Sequence, residues 1–205
     1  VWYSFTVVDS KGKWAVTNPI WADVEGGFGD VMPEAWYYAA VTDLADKGLM
    51  NGNNGKFSPD AKLTRGMVAT VLYRMSGETT GVAADAAKTI SDVAANQWYA
   101  AAVDWAADNG IVSGYQGKFS PNANITRQDM VTMLYRYAQY KKADTTKTAD
   151  LATFGDAATV SGYAADAMKW AVGDGVMSGR SGNLLAPKAQ MSRAEFAKMV
   201  SNYLA

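Results

Sequence analysis

Shifted against itself by 62 residues, the chain superposes Trp36-Tyr37 on Trp98-Tyr99, Gly48 on Gly110, Gly52 on Gly114 and Gly55-Lys56-Phe57-Ser58-Pro59 on Gly117-Lys118-Phe119-Ser120-Pro121. The same shift brings Thr64-Arg65 onto Thr126-Arg127 and Tyr73-Arg74 onto Tyr135-Arg136. A third, more divergent copy with short insertions aligns Asp156 with Asp30 and Asp92, and Tyr163 with the first tryptophan. Its Gly175 and Gly179 match the glycine pair, Pro187 the loop proline and Ser192-Arg193 the Thr-Arg step. A fixed period of this kind decides architecture. A unit of about 60 residues hides too small a fraction of its chain to be robust alone, and three units sharing one core remove that difficulty.

Each unit reads as helix, loop, helix. In PEAWYYAAVTDLADK (33–47), Trp36, Ala39, Ala40, Val41 and Leu44 form a helical stripe, and Gly48 stops it at a left-handed position. Phe57 and Leu63 are expected to plug the Gly- and Pro-rich loop that follows. Thr64 then caps TRGMVATVLYRM, where Met67, Val68, Val71, Leu72 and Met75 keep the 3.6 period. Ser192 with Glu195 makes a full capping box; the second copy has Thr126 with Asp129, and the first has Met67 and no box. The segments before each first helix, 28–31, 90–93 and 154–156, read as brief extended elements.

The fold expected is therefore mainly α: repeats over 28–76, 90–138 and 154–205, joined by linkers at 77–89 and 139–153 rich in Thr, Ala, Asp and Gly. Residues 1–27 alternate like a hairpin around Ser10-Lys11-Gly12, a short β-like arm or the tail of a preceding domain in a larger surface protein.

With 19 Lys and Arg against 20 Asp and Glu, the chain has no basic footprint for nucleic acid. It holds no Cys and no His, which removes structural zinc sites, Ser-His-Asp triads and Cys-His pairs. No run of 18 apolar residues is available to span a bilayer. The acids either recur once per copy, as Asp30, Asp92 and Asp156 do, or scatter over helix surfaces, so they do not form the facing pair a glycosidase needs. No enzyme activity and no cofactor are expected.

The arginines are the most informative residues. Arg65, Arg127 and Arg193 follow the cap residue directly, where a cation opposes the helix dipole but, beside free backbone N–H groups, suits an incoming carboxylate or phosphate. The alternative is that each pairs with an acid of its own chain: Asp30, Asp92 or Asp156. Arg74 and Arg136 lie nine residues further on, two and a half turns, and so point to the other side of the helix. Trp36, Trp98 and Tyr163 read either as core anchors or as a wall for a sugar ring. Trp105 and Trp170 occupy a column where the first copy has Asp43, and are expected to pack between units. Lys56 and Lys118 reach out from the loops, where the third copy has Asn183.

These motifs resemble the S-layer homology family: a Phe-x-Asp start, Trp-Tyr, a helix ending in Gly, Gly-x-x-Gly-x-Phe-x-Pro, and a Thr-Arg-Ala-Glu box, covering about residues 28 to 204. The resemblance implies a pseudo-threefold bundle whose second helices meet centrally. It implies noncovalent attachment of a secreted protein of a Gram-positive cell surface to secondary cell-wall polysaccharide with anionic substituents, commonly pyruvyl ketals, itself linked to peptidoglycan. Carried over by position, the ligand-binding residues are Arg65, Arg127, Arg193, Asp30, Asp92, Asp156, Trp36 and Trp98, with Lys56 and Lys118 added from their loop positions. Met67 and Asp129 depart from the box glutamate, Tyr163 from the tryptophan and Leu184 from the loop phenylalanine, so fewer than three competent grooves are expected. The rival reading is an assembly module that joins subunits of a surface layer.

Overall fold

The computed structural model describes residues 27–78 and 90–205, together with the backbone of four short strands nearer the N-terminus. Those strands pair antiparallel as nested ribbons, β1 (Trp2–Tyr3) with β4 (Ile20–Trp21) and β2 (Thr6–Val8) with β3 (Trp14–Val16). The expected turn at Ser10-Lys11-Gly12 and most of the 77–89 linker lie outside the described residues.

Each repeat contributes two helices. The first helices, α1 (Tyr38–Asp46), α3 (Ala100–Asp108) and α5 (Ala165–Gly173), bury their apolar stripes, and each ends just before a glycine at positive φ: Gly48 (67°), Gly110 (69°) and Gly175 (75°). Only glycine takes that left-handed turn without a Cβ penalty, which is why all three copies keep it. The second helices, α2 (Arg65–Ser76), α4 (Arg127–Tyr140) and α6 (Arg193–Leu204), are capped by Thr64, Thr126 and Ser192. Ser192 and Glu195 close the full capping box.

Packing runs between repeats. Helix α3 lies on α2, α5 on α4, and α1 on α6, so the first repeat closes onto the last and the three units form a ring. Three crossed backbone hydrogen bonds tie the ring at its centre: Leu63 N–H donates to Met191 O (3.1 Å), Met191 N–H to Ile125 O (3.0 Å) and Ile125 N–H to Leu63 O (2.9 Å). Leu63, Ile125 and Met191 are themselves completely buried.

Trp105 and Trp170 fill two of the three seams as expected. Trp105 stacks on Tyr73 of the first repeat and Trp170 on Tyr135 of the second, each at 5.4 Å between centroids. The third seam, between α1 and α6, has Asp43 in that column, which pairs with Lys47 on the surface.

The segments before the first helices are turns, not strands. Each is held to its loop by a single backbone bond, Gly29 N–H to Gly55 O (2.9 Å), Ser91 N–H to Gly117 O (2.8 Å) and Gly155 N–H to Asn183 O (3.1 Å). The aspartate that follows takes the next loop amides through its side chain, which leaves no ladder to extend. In the 139–153 linker the chain crosses over α5, with Ala149 N–H bonded to Lys169 O (3.0 Å). A Cβ on Gly173 would stand 2.4 Å from the Thr148 carbonyl carbon, so the crossing requires glycine there.

Candidate functional site: three grooves between repeats

The repeated aspartates and arginines meet through one peptide bond. Asp30 accepts from the Phe57 and Ser58 amides (2.7 and 2.8 Å), Asp92 from Phe119 and Ser120 (2.8 and 2.7 Å), and Asp156 from Leu185 and Ala186 (2.7 and 2.8 Å). The clamp holds Ser58, Ser120 and Ala186 at φ 58°, 58° and 49°, a region that residues with a Cβ seldom adopt. The carbonyl of the same clamped peptide then accepts from an arginine Nε of the preceding repeat around the ring. These bonds are Arg65 to Phe119 O (2.8 Å), Arg127 to Leu185 O (2.9 Å) and Arg193 to Phe57 O (2.7 Å). Carboxylate and guanidinium thus polarise one peptide from its two ends without touching.

This geometry corrects two expectations. The amides at the start of each second helix are not free: Arg65 and Gly66 donate to Ala123 O and Pro121 O, Arg127 and Gln128 to Ala189 O and Pro187 O, and Arg193 and Ala194 to Ala61 O and Pro59 O. The third amide of each helix goes to the cap side chain. Carbonyls of the neighbouring loop therefore replace the anion that a bare helix end would attract. The third-copy register also moves by one. Leu185, completely buried and clamped by Asp156, is the counterpart of Phe57 and Phe119, while the exposed Leu184 stands where the other loops carry Lys56 and Lys118. One extra residue between Arg180 and Leu184, which pair as Asn53 does with Lys56 and Tyr115 with Lys118, hides this from a linear alignment.

Three grooves open over the arginines, and each draws on all three repeats. Groove A holds Arg65 of the first repeat, Lys118, Asp129 and Arg136 of the second, and Tyr163 of the third. Groove B holds Arg127 of the second, Arg180 and Glu195 of the third, and Trp36 of the first. Groove C holds Arg193 of the third, Met67 and Arg74 of the first, and Trp98 of the second. Trp36, Trp98 and Tyr163 are 62%, 61% and 60% exposed, so they stand as groove walls and not as core anchors. Lys56 is exposed, backbone-paired to the groove C residue Asn53, but does not line the groove.

The nine-residue spacing sets Arg74 and Arg136 apart from the first arginine row, on the opposite side of the helix. They are indeed across the helix from Arg65 and Arg127, yet the ring turns that far side toward the arginine of another repeat. Arg136 accordingly shares groove A with Arg65, and Arg74 shares groove C with Arg193. Knowing the cyclic order of the helices would have found them. Tyr115, 79% exposed on the loop of groove A, and the Arg180–Glu195 pair carried no repeat signal at all.

The grooves differ in charge and size. Arg65 and Arg193 are half-buried, stacked over the Phe119 and Phe57 rings at 4.7 and 4.4 Å, and among the described residues neither has a carboxylate within ion-pair distance. Burial lowers their pKa values, and nearby carboxylates, Asp129 and Asp92 for Arg65 and Asp30 for Arg193, push back. Asp129 bonds Thr126 Oγ1 (2.7 Å) and the Tyr163 hydroxyl, whose pKa burial and this carboxylate raise to about 12.

Groove B is different. Arg127 is only 3% exposed and spends its donors on Leu185 O, Ser178 O (3.2 Å) and Glu195 Oε1 (3.4 Å), while Arg180 Nε reaches the same oxygen at 2.8 Å. Grooves A and C enclose about 490 and 460 Å³; groove B encloses about 210 Å³. What such clefts offer chemically is recognition of an anion beside an aromatic face, with guanidinium donors held rigid by backbone carbonyls.

The S-layer homology domain family profile matches residues 27–66, 89–131 and 153–197, one stretch per repeat. The chain is 28% identical over 179 residues to an endoglucanase of Bacillus sp. (strain KSM-635), covering 86% of this chain and 18% of the relative. It is 30% identical over 174 residues to the surface-layer 125 kDa protein of Lysinibacillus sphaericus, covering 80% and 14%, and 28% identical over 176 residues to the S-layer protein sap of Bacillus anthracis, covering 85% and 21%. The chain thus spans less than a quarter of the length of each of these relatives. Three matched stretches, each running from the turn before a first helix into the start of a second helix of one ring, place the chain in the S-layer homology domain family.

Proposed function

We propose that the chain anchors a larger extracellular protein noncovalently to the cell wall by binding carboxylate substituents of a secondary cell-wall polysaccharide, pyruvyl ketals in particular, in the grooves between repeats. The observation that carries this is the pairing, in one cleft, of an exposed aromatic ring from one repeat with a carbonyl-braced arginine from another. The ring offers a face to the apolar side of a sugar, and the guanidinium a fork for its carboxylate. Each charged hydrogen bond contributes roughly 1.5 to 3 kcal/mol before ordering costs, and several weak grooves on one polymer add through effective concentration.

The aspartates serve this site by positioning: they clamp the loops whose carbonyls brace the arginines. A region common to a glucanase and to surface-layer proteins is not what carries the glucanase chemistry, which fits a non-catalytic anchor. No helix among the described residues is long and apolar enough to cross a membrane.

The test is cosedimentation with purified walls, before and after selective removal of ketal-linked pyruvate. Binding lost on depyruvylation supports the reading. Binding that survives unchanged ends the ketal assignment, and absence of wall binding together with self-association in the ultracentrifuge would favour the surface-layer assembly module.

A further inference from the structure

Resting on the anchoring reading, we infer that the three grooves are unequal in a defined way: A and C are open carboxylate sites, and B is filled by the protein's own carboxylate, Glu195. Groove B repeats part of the plan of the other two, with Asn202 in the column of Arg74 and Arg136. It has a box arginine, a clamped loop and, unlike A, a true tryptophan wall in Trp36. Its capping box is the complete one.

The structure shows what that completeness does. Glu195 Oε2 accepts from the Ser192 amide (3.0 Å), which closes the capping box, and this leaves Oε1 facing the groove between two guanidiniums. Arg180 Nε binds Oε1 at 2.8 Å and Arg127 Nη1 at 3.4 Å. The carboxylate so placed takes donors of both guanidiniums, and the other cation of the lining is the exposed Lys198. The third loop adds to the effect, since Leu184 stands in the lysine position and groove B has less than half the volume of either other groove.

In groove C the residue at the Glu195 position is Met67, and at the Arg180 position Asn53, so among the described residues Arg193 and Arg74 meet no carboxylate in the lining. In groove A the carboxylate of Asp129 is one methylene shorter and is held by Thr126 and Tyr163, leaving Arg65, Lys118 and Arg136 to face a ligand. The side chain three residues into each second helix thus decides whether its groove accepts an external anion.

The tryptophans make the inference measurable, because Trp36 reports on groove B and Trp98 on groove C. The probe is a methyl hexoside bearing a 4,6-linked pyruvate ketal, titrated into the full chain while the indole N–H resonances are followed by NMR, with Trp36→Phe and Trp98→Phe fixing the assignments. In the native chain the Trp98 signal is expected to titrate and the Trp36 signal to stay silent or respond at least about tenfold more weakly, equivalent to one lost charged contact. Glu195→Gln keeps a cap acceptor for the Ser192 amide but removes the charge, and is expected to make Trp36 titrate within about tenfold of Trp98. Glu195→Met, which gives groove B the residue of groove C, is expected to do the same.

Native Trp36 titrating as readily as Trp98 overturns the inference, as does a silent Trp36 in both variants with native circular dichroism. A silent Trp98 in a chain that still sediments with walls also overturns it. A chain that fails to sediment with walls at all overturns the anchoring reading instead.

Discussion

Grooves B and C are assembled from the same three columns, yet one is occupied by its own side chains and the other is left open. In B, Arg127 is sunk in the protein and tied to two carbonyls and a carboxylate; in C, Arg193 stacks on the Phe57 ring and binds only carbonyls, Phe57 O and Asn51 O (2.8 Å). The difference teaches that one repeated arginine column can sit in two different electrostatic settings. In groove B a carboxylate bonds the guanidinium and makes it a structural crosslink; in groove C, among the described residues, carbonyls alone hold it.

The sharpest way to break this comparison is to remove each arginine in turn. Arg127→Ala leaves a half-buried Glu195 and two carbonyls short of donors, and is expected to cost about 3 kcal/mol in urea unfolding. Arg193→Ala is expected to cost about 1 kcal/mol, and equal losses would erase the distinction. Binding inverts the order: Arg193→Ala is expected to weaken the Trp98-reported site by about ten- to a hundredfold while leaving the fold intact, checked by the same ketal titration.

Acid unfolding sharpens the comparison further. Burial alone raises the Glu195 carboxyl, but the Ser192 amide and the Arg180 and Arg127 guanidiniums overcome it and hold the pKa below its ordinary value. That contribution is complete above the ordinary carboxyl pKa of about 4.3 and is lost as pH falls through the depressed folded value. Glu195→Gln should therefore flatten the acid limb of a stability–pH profile, whereas Arg193→Ala should leave its shape unchanged. The smallest effect expected is from Met67→Glu, which completes a capping box at groove C. It should raise stability by about 0.5 to 1 kcal/mol and lower the affinity reported by Trp98, both measurable on one preparation.

The repeat made most of the helical frame legible. The glycine stops, the caps and the seam tryptophans all stand where the repeat, offset by short insertions in the third copy, and a 3.6-residue stripe put them. The arginine column was legible as well, because its position after a cap residue has a physical meaning of its own. What could not be read was anything that depends on which repeat follows which around the ring. Arg136 beside Arg65 and Arg74 beside Arg193 are of this kind, as is the use of loop carbonyls to satisfy helix-end amides. The Asp30, Asp92 and Asp156 column was visible, but its partners are backbone amides, which every residue carries and no sequence pattern marks. The one-residue slip at Leu184 and Leu185 came from an insertion in a loop whose ends are fixed in space and not in number.

Because α1 rests on α6, the chain counts its own units. An open solenoid can gain or lose a module at either end and still bury its remaining faces. Here deletion of one unit would strip two neighbours at once, and a fourth would find no vacant side to join. Copy number in such a chain is consequently set by geometry, and evolution can diversify the individual members far more freely than it can change how many there are.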